Sequence, residues 1–143
     1  VMSNARRLND GMGAYVANQT IKCMNKKGAL VKDSNILILG ITFKENCPDI
    51  RNTKVVDIYN TLAEYTNNIT IYDPWADVDH VKREYGVVIT NDKIVLDNKY
   101  EAIILAVAHN EFVNLDVRGM LTDNGVVYDV KGILPRDVVA GRL

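Results

Sequence analysis

Four consecutive large aliphatic residues, Ile36-Leu37-Ile38-Leu39, run straight into Gly40. The run is short and lacks polar alternation, which predicts a strand covered on both faces. Such a strand needs layers on both sides, and that points to an α/β architecture. Beyond Gly40 the chain is polar and irregular, reading Ile41-Thr42-Phe43-Lys44-Glu45-Asn46-Cys47-Pro48-Asp49-Ile50-Arg51-Asn52. Pro48 bars a continuous helix there. Ligands of open α/β sheets sit beyond the carboxyl ends of the strands. This loop is therefore the expected place for a phosphorylated ligand, with Lys44 as its charged partner.

The remaining pattern extends the same architecture. Residues 4–27 predict a helix, with Met12, Val16, Ile21 and Met24 along one side. Gly11 and Gly13 weaken that helix near its start, and Gly28 ends it. Residues 53–65 predict a second helix capped by Asn52 or Thr53. Strands are expected at 69–72, 87–89, 102–107 and 126–128, with a short helix over 76–85. Residues 93–96 and 111–121 read as short helix or loop. Short strands separated by helical segments mark a parallel sheet. The expectation is an α/β, Rossmann-like three-layer sandwich with a mostly parallel sheet of about five strands. Its boundaries are a helical segment over 1–30 and a sandwich over 31–143.

Composition excludes several classes. The 143 residues are enough for one domain with a real core, and 48% hydrophobic with 24% charged argues against disorder. A formal net charge of -1 argues against a broad nucleic-acid surface. No apolar run reaches the roughly 18 residues of a membrane span, and no signal-peptide pattern is visible. Cys23 and Cys47 make neither a disulfide framework nor a metal signature, so a reducing, cytoplasmic setting and no metal are expected.

The candidate residues gather at strand ends. Gly40 stands alone where a dinucleotide fingerprint needs Gly-x-Gly-x-x-Gly, and Phe43 and Lys44 occupy backbone that would have to be bare. NAD binding by this loop is therefore not expected. Lys44 either neutralises a phosphate or is a solvated surface lysine. Phe43 either plugs the core, the better reading from the residue alone, or packs on a ligand. Arg51 either offers a planar donor fork to phosphate or carboxylate, or is held in place by Asp49, in which case the pair is structural. Asp73, beside Pro74 and Trp75, reads as a turn acceptor rather than a ribose ligand. His109 is placed either to donate to a ligand or to cap the next helix. Lys131 follows a later strand, with Asp129 placed to orient it. His80 reads as an exposed helix residue. Cys47 has no histidine adjoining it in sequence to act as a base, and Cys23 reads as packing.

Taken together, six segments resemble the carboxyl-terminal part of the UDP-glucose/GDP-mannose dehydrogenase family. They are Arg7-Leu8-Asn9-Asp10, the stretch Ile38 to Asn46, Asp49-Ile50-Arg51-Asn52, Tyr72-Asp73-Pro74, Ala106-Val107-Ala108-His109 and Asp129-Val130-Lys131-Gly132. The Glu-Asn-Cys-Pro-Asp-Ile-Arg-Asn version is most similar to branches that oxidise UDP-N-acetylhexosamines of the glucosamine, mannosamine or galactosamine type. The resemblance implies a parent with two Rossmann-like domains that oxidises a sugar C6 alcohol to a carboxylate in two NAD-dependent steps. In such a parent a cysteine forms the covalent intermediates.

The resemblance further implies that this part binds the UDP-sugar. Phe43 and Lys44 would lie against it, Arg51 and Lys131 would assist, and Asp49, His109 and Asp129 would support them. It implies a homo-oligomeric parent as well. The chain departs from the full pattern by lacking both the NAD fingerprint and the Gly-Gly-x-Cys nucleophile segment, whose role Cys47 does not inherit. Alone it is expected to be inactive. The alternatives are a non-catalytic interaction or oligomerisation module of the same fold and, less favoured, a small NAD-binding regulatory domain.

Overall fold

The computed structural model describes residues 11–143. Its centre is β1 (Ile36–Leu39), all four residues of which are buried. The sheet is completed by β2 (Ile69–Tyr72), β3 (Tyr100–Leu105), β4 (Leu121–Asp129) and β5 (Gly141–Arg142). The order is β2-β1-β3-β4-β5 and every pairing is parallel. The expected α/β sandwich with about five strands is thus the fold observed.

Alternation along the strands builds two cores. Ile36, Ile38, Ala102, Ile104, Val126 and Tyr128 face one side, towards α1 (Met12–Lys27), α2 (Thr53–Leu62) and α3 (Val78–Tyr85). Leu37, Leu39, Ile103, Leu105 and Val127 face the other. That second layer is thin: the short α4 (Asn110–Val113) supplies Phe112, and single 3-10 turns at Lys93–Asp97 and Arg118–Met120 complete it. Each fully buried aliphatic side chain of β1 stabilises the fold by about 1.5–3 kcal/mol.

Helix α1 is the described part of the helix expected over 4–27; the Arg7–Asp10 motif lies outside the described residues. Gly13, which weakened that expectation, is what lets α1 meet α2. A Cβ at Gly13 would fall 2.5 Å from both the Asp57 Cβ and the Lys54 carbonyl oxygen. Helix α2 stops at Leu62 rather than Tyr65, in a tightening last turn where Glu64 N–H donates to Thr61.

Two strand expectations need correction. Residues 87–89 form no strand; only Thr90 bridges Tyr72. Beyond it the Asn91 side chain donates to the carbonyls of Asp73 and Ala76, and Asp92 caps the next turn, so the chain leaves the edge after one residue. The fifth strand is instead β5, which has no apolar pattern to announce it. Its Gly141 backbone lies against the Tyr128 ring, where a Cβ would be 2.9 Å away. No helix among the described residues is long and apolar enough to cross a membrane.

The chain leaves β1 towards β2 on one side and returns to β3 on the other. The switch point of the sheet therefore lies between the carboxyl ends of β1 and β3. Residues 40–52 and 106–110 meet there.

Candidate functional site

At the floor of this switch point lies a buried carboxylate. Asp73 follows β2 and is fully buried. Its Oδ2 accepts the backbone N–H of Ile41 at 2.7 Å and of Thr42 at 3.2 Å. Its Oδ1 accepts those of Trp75 at 2.7 Å and Ala76 at 3.1 Å. His109 Nε2 lies 3.0 Å from Oδ2. Burial alone pushes the carboxyl's pKa up. The hydrogen bonds from His109 and from the backbone outweigh burial and leave the group below the usual aspartate value.

The sign of the consequence follows from linkage. A depressed folded-state pKa stabilises the fold above the unfolded value, about 3.9, and that contribution disappears as pH falls through the folded value. Stability measured by urea titration should therefore fall below about pH 4 more steeply for this chain than for an Asp73→Asn variant. Parallel pH profiles for the two would remove Asp73 as the cause.

His109 is equally buried, and both ring nitrogens are engaged. The Asn46 amide, which can only donate, points at Nδ1 at 2.9 Å. Nδ1 must therefore carry the lone pair, and Nε2 the hydrogen that faces Asp73 and, at 3.1 Å, the Thr42 hydroxyl. That hydroxyl in turn donates to the Lys44 carbonyl at 3.0 Å. The ring is flanked by Trp75, stacked at 6.1 Å between centroids, and by Phe112, edge-on at 5.5 Å. The Trp75 indole N–H donates to Glu111. Direct donation from His109 to a ligand, one of the two options in the sequence, does not fit a fully buried ring with both nitrogens occupied.

The loop above this floor is tightly bonded. Phe43 N–H donates to the Asp49 carbonyl at 2.6 Å. Asn46 adopts a left-handed φ of 56°, and its side-chain oxygen accepts the Asn110 N–H at 2.9 Å. Asn52 stands at the start of α2 but makes no side-chain cap; its amide donates to the Thr42 carbonyl at 2.9 Å. The amides of Ile41, Thr42 and Phe43 are thus all bonded within the chain. A glycine-rich loop would turn such amides towards a pyrophosphate. Here those three amides are already in use, and the side chains of Phe43, Lys44 and Arg51 stand exposed beside them.

Those side chains stand on the bonded loop. Phe43 is 55% exposed, not the core residue it suggested in isolation. The Arg51 guanidinium lies 5.9 Å from its ring centroid. Arg51 is also held by Asp49, with Nη2 at 2.7 Å from Oδ2 and Nε at 3.0 Å from both carboxylate oxygens. This hydrogen bonding draws the Asp49 carboxyl below its ordinary pKa. The pair is solvent-exposed and adds little stability; its geometric effect is to fix the fork over Phe43. Lys44 is exposed beside it.

Phe43 and Lys131 line one concavity of about 170 Å³, together with Asn52, Lys54, Ala106 and Val130. Lys131 stands on a turn built by the buried Asp129. Oδ1 of Asp129 accepts the N–H groups of Lys131 at 3.0 Å and Gly132 at 2.8 Å, and Oδ2 accepts that of Leu134 at 2.8 Å. The structure therefore brings Phe43 and Lys131 together, with Arg51 above Phe43, and keeps His109 below. Thr42, Asn46 and Lys54 had not stood out in the sequence. Asn46 alone carried a signal, since asparagine tolerates left-handed turns.

Elsewhere, both cysteines are free and half-buried. The His109 nitrogens are already taken, leaving neither to serve Cys47 as a base. His80 is exposed on α3, 3.9 Å from Glu84. Among the described residues no group of three potential ligands is arranged for a metal.

Comparison with known proteins places this geometry. Residues 37–136 match the family model described as the UDP-glucose/GDP-mannose dehydrogenase family, UDP binding domain. The chain is 49% identical over 135 residues to UDP-N-acetyl-D-glucosamine 6-dehydrogenase of Salmonella typhi, covering 92% of this chain and 31% of that protein. It is 47% identical over 135 residues to the Pseudomonas aeruginosa enzyme of the same name, covering 92% and 32%. Among solved structures, the NDP-N-acetyl-D-galactosaminuronic acid dehydrogenase of Methanosarcina mazei superposes with a TM-score of 0.80 at 22% identity, over 95% of this chain and 28% of that one. The UDP-D-ManNAc dehydrogenase of Pyrococcus horikoshii gives 0.75 at 22% identity, over 96% and 32%. These two likenesses concern the fold. The chain spans about a third of the length of the curated relatives it matches. With the family model covering 37–136 and nearly half the residues shared with two such enzymes, the chain belongs to the UDP-glucose/GDP-mannose dehydrogenase family, as its UDP-binding domain closely related to UDP-N-acetylhexosamine 6-dehydrogenases.

Proposed function

We propose that this chain is the UDP-sugar-binding part of an NAD-dependent 6-dehydrogenase that oxidises a UDP-N-acetylhexosamine to its uronic acid. One observation carries the proposal furthest. The amides of Ile41, Thr42 and Phe43 are tied inward, while the side chains of Phe43, Lys44 and Arg51 are turned outward at the sheet's switch point. A diphosphate meeting such a surface finds the Lys44 and Arg51 cations. Identity to two UDP-N-acetyl-D-glucosamine 6-dehydrogenases supplies the substrate class.

In this reading Lys44 neutralises the diphosphate, and Phe43 offers an apolar wall to the nucleotide. Arg51, held by Asp49, and Lys131, set by Asp129, add donors around the same concavity. His109 supports from beneath without touching ligand. NAD serves the parent as hydride acceptor, and the absence of a glycine fingerprint here assigns its binding mainly to the rest of the parent. Nucleotide-sugar metabolism in the cytoplasm, by a homo-oligomer, completes the proposal.

Rejoining the chain to the NAD-binding part of its parent provides the test, with NAD reduction followed on UDP-N-acetylglucosamine. A charge-assisted hydrogen bond contributes about 1.5–3 kcal/mol. Lys44→Ala should therefore raise KM by roughly tenfold or more. A variant with unaltered kcat and KM would refute the role of Lys44.

A further inference from the structure

We propose that His109 is a positioning residue for the nucleotide-binding loop: its neutral Nε2–H tautomer fixes the Thr42 hydroxyl on the Lys44 carbonyl and so sets where Phe43 and Lys44 stand. The inference rests on the proposed role of those two side chains.

A threonine hydroxyl has one hydrogen and can rotate it among several acceptors. At Thr42 two polar groups are in reach of that rotor: the Lys44 carbonyl at 3.0 Å and His109 Nε2 at 3.1 Å, the latter also facing the Asp73 carboxylate. Were Nε2 unprotonated, it would accept the hydroxyl hydrogen and draw it away from Lys44. The Asn46 amide forbids this by donating to Nδ1, and Asp73 reinforces it by accepting from Nε2. The only arrangement that satisfies all the donors has Nε2–H shared between Asp73 and Thr42, and Thr42 O–H on Lys44. The backbone of the exposed loop is thereby read out from a wholly buried ring.

The opposite edge of the ring acts on the same loop at a second point. Its Nδ1 holds the Asn46 amide, and Asn46 is also tied to Asn110 at the start of α4. The loop after β1 is thus pinned to the loop after β3 across the switch point. Trp75 and Phe112 pack on the ring and keep it in this orientation.

The two edges can be separated chemically. His109→Gln places an amide N–H near the position of Nε2 and keeps the donor to Asp73 and Thr42. His109→Asn places an oxygen near Nδ1, keeps the acceptor for Asn46, and loses the donor. Both substitutions remove part of a buried network and lower the thermal midpoint. A merely structural role would make KM follow that midpoint. The positioning role makes KM follow the donor edge.

The tautomer is read first, in the unaltered 143-residue chain, by long-range proton–nitrogen correlation of the histidine rings. A neutral ring protonated on Nε2 is expected at His109; a hydrogen on Nδ1 overturns the inference and leaves the proposed function standing. The second arm uses the chain rejoined to the NAD-binding part of its parent, with KM for UDP-N-acetylglucosamine measured for Lys44→Ala, His109→Gln and His109→Asn. Expected are a KM within about threefold of the unaltered protein for Gln, and a rise of about tenfold for Asn, the cost of one unmet buried hydrogen bond. Equal KM values for Gln and Asn, with Lys44→Ala still impaired, overturn the positioning role alone. An unimpaired Lys44→Ala overturns both it and the proposed function.

Discussion

Asp73→Asn should destabilise the fold by about 2–6 kcal/mol, the cost of leaving two buried backbone donors unmet at about 1–3 kcal/mol each. The two carboxylate oxygens accept from four backbone amides and face His109 Nε2. Asparagine keeps one acceptor oxygen and puts an NH2 in place of the other. Whichever way it turns, two N–H groups come to face backbone donors. On the Oδ1 side those are Trp75 and Ala76; on the Oδ2 side they are Ile41 and Thr42, with the histidine added. No rotamer escapes, because both sides are donor-lined and water is excluded. Equilibrium unfolding in urea gives the measurement. A loss under about 1 kcal/mol, the scale of an ordinary hydrogen bond, would mean that the carboxylate is not the hub described. The damage should also be local in its second effect. Ile41 and Thr42 lead directly into Phe43, so ligand binding by the rejoined parent should weaken even where enough folded protein remains.

Gly40→Ala should cost roughly 2–5 kcal/mol, combining backbone strain with overpacking. Gly40 has φ +97°, a conformation that L side chains rarely adopt. Its backbone is anchored by N–H donation to the Tyr72 carbonyl at 2.9 Å, so it cannot simply rotate away. A Cβ would meet Val107 Cβ at 2.5 Å and its Cγ2 at 2.9 Å. Val107 cannot retreat, since its own amide lies 3.2 Å from the Leu39 carbonyl, to which it donates. Gly86→Ala serves as the control. Gly86 also has a positive φ, +69°, but nothing lies within 4 Å of its missing Cβ. It should show the strain part alone, about 1–2 kcal/mol. If the two substitutions cost the same by urea titration, the close approach to Val107 carries no energy and the tight junction between β1 and β3 is misread.

These two residues also mark how far the sequence could be read. The apolar run at 36–39, stopped by Gly40, announced a buried strand followed by a polar loop, and that is where β1 lies, with the switch point beyond its end. Lys131 was visible as a cation at a strand end, and Arg51 as a donor fork just before a helix. The pairing of Asp49 with Arg51 was visible too, since two residues of separation in a loop suffice for contact. Not legible were the links of long sequence separation. Asp73 read as a turn acceptor, and it does cap the turn through Trp75 and Ala76. Nothing in the residues around it showed that its other oxygen reaches 32 positions back to Ile41. His109 offered two roles at a ligand edge, and the structure gave it a third, inside. Phe43 suggested core by its type alone; it stands exposed at the edge of the concavity it shares with Lys131.

Local order came from short-range chemistry. Apolar runs and helix-stopping glycines act within a few residues, so the sequence alone determined the α/β class and the buried strand at 36–39, while the family came from the resemblance of its motifs. What the tertiary structure decided was which polar groups are consumed and which remain for a ligand. Hydrogen-bond saturation depends on neighbours brought together by the sheet order. In this chain that order takes the amides of Ile41 and Thr42 out of use, and the side chains of Phe43, Lys44 and Arg51 are left facing outward.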